Sequence, residues 1–334
     1  MAFRFGHGSK VFVTSFRFYQ PNNKSMRIAG VEIPVGKTKK IDVNIAKLPS
    51  GTLIDIPIIV YRAPKEGPTL MLLAGMHGDE INGVEIMRRI IREKLYKVDA
   101  GTVICIPIIN IYGFINFSRD VPDGKDINRS FPGSKTGSLA SQVAHFMMQE
   151  IIPHIDYGVD FHTGGARINN SPQVRVQTDD AQNLELAQAF GTRFILNSPY
   201  REKSLRKEAF KHGKRILVYE GGESLRLRKS AIDEGISGMQ RVMKHLKMKD
   251  SAPKPERETI LINKSTWVRA KSAGLHYSFV RNGSKIIPKE ILGEVCDPYG
   301  TYQVKIKSPL EGYIIAVNNH PVINRGDALF HVGN

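Results

Sequence analysis

His77, Gly78, Asp79 and Glu80 stand where an apolar run gives way to an amphipathic one. A histidine and a glutamate three residues apart, at the end of a strand, can aim an imidazole nitrogen and a carboxylate oxygen at one point above a sheet. That is two thirds of a hydrolytic metal site. A third ligand is available in YGVDFHTGG (157–165), where His162 again ends an apolar run just before a Gly-Gly turn. His77, Glu80 and His162 together form a His2Glu set that leaves the fourth zinc position to water or substrate. Asp160, two residues earlier, shares the face of His162 by strand alternation and is placed to brace it from outside the ligand set.

A metal hydrolase also needs a proton shuttle. Glu220 ends the apolar run ILVYE before Gly221 and Gly222, the same strand-end position once more, and a carboxylate there can pass a proton from water to a leaving amine. Glu223 is its rival and reads as a solvated charge in the following turn. Residues 110–137 hold no long periodic segment but are rich in Asn, Gly, Asp and Arg; a loop of that length is usually functional. It carries Arg119 and the pair Asn128-Arg129. Guanidinium groups bind carboxylates as bidentate forks, which suits an N-acyl amino acid or a peptide C-terminus.

These side chains need elements to position them. Residues 70–74 read as a buried strand, followed by a helix over 82–97 with Val84, Met87, Ile91 and Leu95 at helical spacing. Strands at 102–109, 156–161, 193–197 and 215–219 alternate with helices at 138–150 and 180–190. That alternation predicts a mostly parallel or mixed sheet covered on both faces. Residues 28–62 read as edge strands around a turn at 49–51, and 64–68 (PKEGP) as a turn. The charged, Pro-bearing stretch 244–257 marks a boundary. Beyond it come short strands and a weak internal repeat, KSAG-LHYSFVRNGSKIIPKEILGEV against KSPLEG-YIIAVNNHPVINRGDALFHV. Two strand–turn–strand copies predict a small β-sandwich resembling the biotinyl/lipoyl type. Its central junction reads Asp297-Pro298-Tyr299-Gly300, without the modifiable Lys of a carrier, so it is expected to shape the site's mouth.

The composition bounds the rest. At 334 residues two domains are the prior, and no apolar run nears the roughly 18–20 residues that span a bilayer. The first 26 residues make a poor secretory signal. Cys105, in an apolar strand, reads as a buried structural thiol; with only Cys296 besides, a reducing cytosol fits better than a disulfide framework. The net charge of +16 is scattered, with clusters at 37–40 and 201–215 and no nucleic-acid-binding motif. It reads as a general basic surface, with a positive field around a carboxylate pocket, or nucleic acid, as alternatives.

Four ordered motifs, HGDE (77–80), DINRSFPG (126–133), DFHTGG (160–165) and YEGGE (219–223), resemble those of the succinylglutamate desuccinylase/aspartoacylase family, relatives of the zinc carboxypeptidases. The resemblance runs from about residue 28 to the C-terminus. It implies an α/β fold, a zinc-carboxypeptidase-like mixed sheet with helices on both faces, plus a small all-β C-terminal barrel-sandwich domain. The expected organisation is an N-terminal extension (1–27), a catalytic domain (28–248), a linker (249–260) and the β-sandwich (261–334). It further implies one Zn2+ per chain on His77, Glu80 and His162, with Glu220 as general acid/base. Asn128 and Arg129 would hold the substrate's α-carboxylate, and Arg119 would polarise the scissile carbonyl. The insert at 122–125 stretches the spacing between Arg119 and that pair. Some relatives use a tyrosine from the tail; Tyr277, Tyr299 and Tyr302 are available. The expected function is a cytoplasmic zinc amidohydrolase acting on an N-acyl amino acid or similar small amine, with a homo-oligomer plausible and no nucleic-acid or membrane partner. A zinc carboxypeptidase on short peptides is the runner-up, and a non-catalytic binding protein the reading from another class.

Overall fold

The computed structural model describes residues 25–47, 51 and 53–334. Nearly all of the expected N-terminal extension and most of the expected turn at 49–51 lie outside them. The chain begins with a hairpin of β1 (Met26–Ile28) and β2 (Val31–Ile33). The antiparallel pair β3 (Thr38–Lys47) and β4 (Leu53–Arg62) then forms one margin of a large mixed sheet. Next come β5 (Lys65–Ala74), helix α1 (Ile81–Arg92) and β6 (Ala100–Ile106). The stretch expected as a turn at 64–68 is the opening of β5, whose pairing with β6 slips between Lys65 and Thr69 to accommodate it.

The long loop carries a short helix α2 (Ile111–Ile115) and leads to α3 (Leu139–Phe146), which continues as a widened turn to Ile151. Strands β7 (Tyr157–Gly164) and β8 (Ile168–Val176) follow, then α4 (Ala181–Phe190), β9 (Phe194–Asn197), α5 (Leu205–Lys211), β10 (Arg215–Glu223) and α6 (Lys229–His245). Strands β6, β5, β7 and β10 run parallel side by side at the centre. Sequence periodicity did not reveal β8, α5 or α6.

Alternation in the parallel strands explains the two cores. Leu70, Leu72 and Ala74 face one layer with Ile86, Met87 and Ile90 of α1, Leu186 and Phe190 of α4, and Met239 of α6. Met71 and Leu73 face the other, with Val143 and Ala144 of α3 and Leu205 and Ala209 of α5. Helices therefore cover both faces, as expected. On α1 the buried residues are Asn82, Gly83, Ile86, Met87 and Ile90, so the buried face shares only Met87 with the expected Val84–Leu95 stripe; the helix stops at Arg92, which leaves Leu95 beyond it. Gly83 is part of the buried face since a Cβ there would press on the Phe161 carbonyl of β7.

The tail is all β: β11 (Ile260–Ile262), β12 (Ser265–Arg269), β13 (Gly274–Ser278), β14 (Lys285–Ile286), β15 (Ile291–Cys296), β16 (Gln303–Lys307), β17 (Gly312–Asn318), β18 (Val322–Ile323) and β19 (Ala328–Gly333). The repeat is realised as β13–β14–β15 against β17–β18–β19. The short strands are exchanged, β14 pairing with β17 and β18 with β13. One layer is a four-stranded sheet (β16-β15-β13-β18); the other, β12-β19-β17, extends the large sheet by pairing β17 with β8. Cys105 is fully buried and Cys296 half-buried; both are free.

Where β5 hands over to α1, Gly78 packs so tightly on α2 that an added Cβ would overlap the Gly113 carbonyl carbon. Gly78→Ala must push the two turns apart. It is expected to lower the unfolding free energy by about 1–3 kcal/mol in urea titration; an unchanged midpoint would mean that this contact does not constrain the turn.

Candidate metal centre and active-site cavity

The parallel register does the assembling. β5 ends at Ala74, so the chain turns at the carboxyl edge of the sheet and delivers His77 and Glu80 there. His162 of β7 stands beside Glu220 of β10 as register partners on neighbouring strands. His77, Glu80 and His162 are all buried, and one ligand atom from each lies within 4.8 Å of the others. The Nδ1 atoms of His77 and His162 each come 2.8 Å from a different oxygen of Glu80. The Thr163 N–H also donates to Glu80, at 3.1 Å.

Carboxylates stand behind the rings. Asp160 Oδ2 is 2.9 Å from His162 Nε2, and Asp126 Oδ1 is 3.3 Å from His77 Nε2. Neither contact has the alignment of a hydrogen bond. Burial opposes charge on both imidazoles, yet the carboxylates outweigh it: Glu80 and Asp126 raise His77, while Asp160 and Glu80 lift His162 well above the usual range. Burial likewise opposes charge on Glu80, and the two imidazoles hold its carboxyl well below the usual range.

The donor set fits a divalent cation. Glu80, Asp126 and Asp160 gather carboxylates around the two rings, with Asp79 also on the wall of the site. A doubly charged ion on neutral imidazoles would offset much of that negative charge without burying two extra protons. Both Nδ1 atoms converge on Glu80 and both Nε2 atoms face outer acids, the orientation that metal-bound histidines adopt.

Around this cluster lies a cavity of 520 Å3, lined also by Arg119, Asn128, Arg129 and Glu220. All seven site residues expected from the sequence therefore meet. Arg119 Nη2 holds Asp126 at 2.8 Å while Nη1 lies 3.5 Å from Glu80. The insert that stretches this spacing is absorbed in a closed turn: Val121 N–H donates to the Lys125 carbonyl, and Gly124 N–H to that of Val121. Asp126 also caps the turn bearing Asn128, accepting from its N–H at 2.7 Å. Asn128 Oδ1 accepts from Leu205 N–H at the start of α5, leaving its NH2 group available. Burial and the neighbouring Arg201 and Arg119 lower Arg129, even against the pull of Asp126.

Glu220 is pinned by one oxygen. Asn170 Nδ2 donates to Oε2 at 2.5 Å, and Arg175 Nη2 lies 2.9 Å from the same atom. Glu223 is not solvated, contrary to expectation. It is the last residue of β10, only 5% exposed, outside the cavity, and tied to Asn319 Nδ2 at 2.6 Å.

Sequence reasoning missed four further lining residues, Arg175, Arg201, Arg206 and Trp267. Arg201 and Arg206 belong to the cluster read as basic surface. Arg206 is drawn inward to the carbonyls of Arg175, Ser198 and Pro199, and burial lowers it to about 10. Trp267, the chain's single tryptophan, comes from β12 and stacks on His331 at 4.7 Å. Tyr277, Tyr299 and Tyr302 do not line the cavity. The signal for Trp267 was its alternation within a short tail strand; for Arg175 it was hidden by Pro172 in the same strand.

The catalytic-domain model of the succinylglutamate desuccinylase/aspartoacylase family matches residues 66–246. The N-alpha-acetyl-L-2,4-diaminobutyric acid deacetylase of Halomonas elongata is 27% identical over 291 residues, covering 82% of this chain and 84% of that protein. Among solved structures, a succinylglutamate desuccinylase/aspartoacylase from Rhodobacter sphaeroides superposes with a TM-score of 0.79 at 25% identity, over 89% of this chain and 95% of that one. The product-bound ectoine utilization protein EutE (DoeB) from Ruegeria pomeroyi shares the fold with a TM-score of 0.80 at 21% identity, over 90% and 97% of the two chains.

Asp160 is the outer acid that faces His162. Asp160→Asn is expected to weaken zinc binding about 10–100-fold, measured by competition with a chromophoric chelator, while the fold melts as before. An unchanged affinity would mean that Asp160 does not brace the ligand.

Proposed function

We propose that this chain, which belongs to the succinylglutamate desuccinylase/aspartoacylase family, is a zinc-dependent amidohydrolase. It removes the acyl group from an N-acyl amino acid, releasing a carboxylate and a free amine. The observation that carries this reading is a single cavity holding the His77–Glu80–His162 set, Glu220 and the guanidinium groups of Arg129 and Arg201. Neither guanidinium has a carboxylate partner among the described residues. A substrate carboxylate can therefore seat against them without displacing an existing ion pair. The deacetylase relative, named for an N-acetylated amino acid, supports the same reading.

His77, Glu80 and His162 would hold the zinc ion, which supplies an acidified water and polarises the carbonyl when bound. Glu220 acts as the base. Its Oε2 is occupied by Asn170 and Arg175, so Oε1 takes the proton from the attacking water and returns it to the departing nitrogen. Arg119, anchored by Asp126, points Nη1 toward the cluster and donates to the oxygen where negative charge develops. Asn128 and Arg129 fix the α-carboxylate, which sets the acyl carbon in front of the base. Trp267 contributes a wall from the tail, and a 520 Å3 chamber suits an acyl amino acid better than an extended peptide. Two free cysteines agree with a reducing, cytoplasmic setting.

Zinc-loaded protein is expected to release amine from at least one N-acetyl, N-succinyl or N-formyl amino acid, and chelated protein from none. Glu220→Gln is expected to keep one zinc per chain and lose about 10²–10⁴ in kcat. Turnover on peptides alone would replace the deacylase with a carboxypeptidase. A chain that binds no zinc and turns over nothing would end the enzyme reading.

A further inference from the structure

A second cavity, of 280 Å3, meets the first at Asn170, which lines both. Three arginines line it, Arg193, Arg228 and Arg257, and among the described residues none of the three has a carboxylate within ion-pair distance. Arg193 is half-buried, its guanidinium 5.2 Å from the centre of the Phe194 ring and 5.9 Å from that of Tyr313. Gly283 packs against it so closely that a Cβ would lie 2.5 Å from Nη1. Two acids also line the space. Glu234 is engaged by Arg241 at 2.7 Å, which leaves Glu256 alone against three cations.

The other donors are of the same kind. Helix α6, 17 residues long, opens at Arg228 with no side-chain cap and no acidic residue in its first turn; Arg228 and Ser230 both line the cavity. The Arg228 N–H donates to Asn82 Oδ1 at 3.0 Å, but no acidic residue of the first turn offsets the positive end of the helix dipole. Independently, Ser171 is only 6% exposed, and its hydroxyl has no partner among the described residues although it borders the cavity. The unpartnered hydroxyl of a nearly buried serine, a helix start and guanidinium groups around a small volume form a cradle for an oxyanion. The volume admits inorganic phosphate or a small carboxylic acid.

We propose that this cavity is a second, non-catalytic site for a small oxyanion, whose occupancy is felt at the first site through Asn170. Asn170 donates to Glu220 Oε2, and Ser171, its neighbour on β8, offers its hydroxyl to the second cavity. An anion held by Ser171 and Arg193 stiffens the strand that aims the Asn170 amide. This coupling rests on the reading of Glu220 as the base; the binding itself does not.

Calorimetric titration of the zinc-loaded full chain with inorganic phosphate, and separately with succinate, tests the site. Two classes of site are expected for at least one of these anions. Arg228→Ala and Ser171→Ala should each weaken one class about tenfold or more and leave the other. Arg129→Ala, in the first cavity, should do the reverse. The anion that shows the second class identifies the ligand as phosphate or carboxylate. No binding by either, isotherms of Arg228→Ala and Ser171→Ala identical to wild type, or a single class abolished by Arg129→Ala would overturn the proposal. In the deacylation assay, the binding anion should change kcat of the wild type and not of Arg228→Ala; an unchanged kcat at saturation would remove the coupling. A chain without deacylase activity still gives the calorimetric answer, so the two readings fail separately.

Discussion

A buried carboxylate is the constraint on which the site depends. Glu80 lies 2% exposed at the carboxyl edge of a parallel sheet, where an unpaired charge would be prohibitively costly. Its two oxygens are met by two imidazoles and a backbone N–H, and those imidazoles are backed by Asp126 and Asp160. The partners come from three segments: the β5–α1 turn, β7 and the long loop. The charge balance of one point therefore fixes the relative positions of elements far apart in sequence. Glycines 78 and 83 allow it, one letting the turn touch α2 and the other letting α1 sit on β7.

The same economy extends to the tail. β17 pairs with β8 so that Ala316 stands opposite Asn170, whose side chain holds Glu220. Asn319, just beyond β17, binds Glu223, and Trp267 of β12 lines the cavity. A segment that reads as an independent β module is thus joined to the site by main-chain hydrogen bonds, one buried carboxylate and one aromatic wall. β9 covers the same edge of β8 only over Gln173–Val176, so without β17 the Ile168–Asn170 end would be left unpaired.

Much of this was legible because the chemistry lies at strand ends. His77, His162 and Glu220 each follow an apolar run and border glycines, and parallel strands in register must gather such ends on one edge. What escaped was non-local. The inward arginines 201 and 206 sit in a basic cluster that no periodicity directs; Arg206, on α5, reaches across to the Arg175 carbonyl of β8. β8 was hidden by Pro172 and by polar residues that face two cavities. Glu223 looked like a turn charge because β10 continues past its register shift at Glu220, a bulge invisible in sequence. The exchanged short strands of the tail follow from a repeat that was visible, but the pairing across copies was not.

The division of labour among the arginines bears on selectivity. Arg119 and Arg175 are already committed to acids of the site, Asp126 and Glu220, and Arg206 to backbone carbonyls. The atoms so committed are not free to seat a substrate carboxylate, although Arg119 keeps Nη1 turned toward the metal-ligand cluster. Arg129 and Arg201 have no carboxylate partner among the described residues; Arg129 Nη1 donates to the Asn128 carbonyl, and the neighbouring Arg201 helps to lower Arg129. In the proposed reading, a carboxylate seated between them would offset that like-charge repulsion. The acyl half has no comparable charged host. Its discrimination falls to the shape of the wall that includes Trp267, where a methylene changes binding by only about 1–3 kcal/mol. On the proposed function, selectivity for the amino-acid half would be electrostatic and steep, and selectivity for the acyl half steric and shallow.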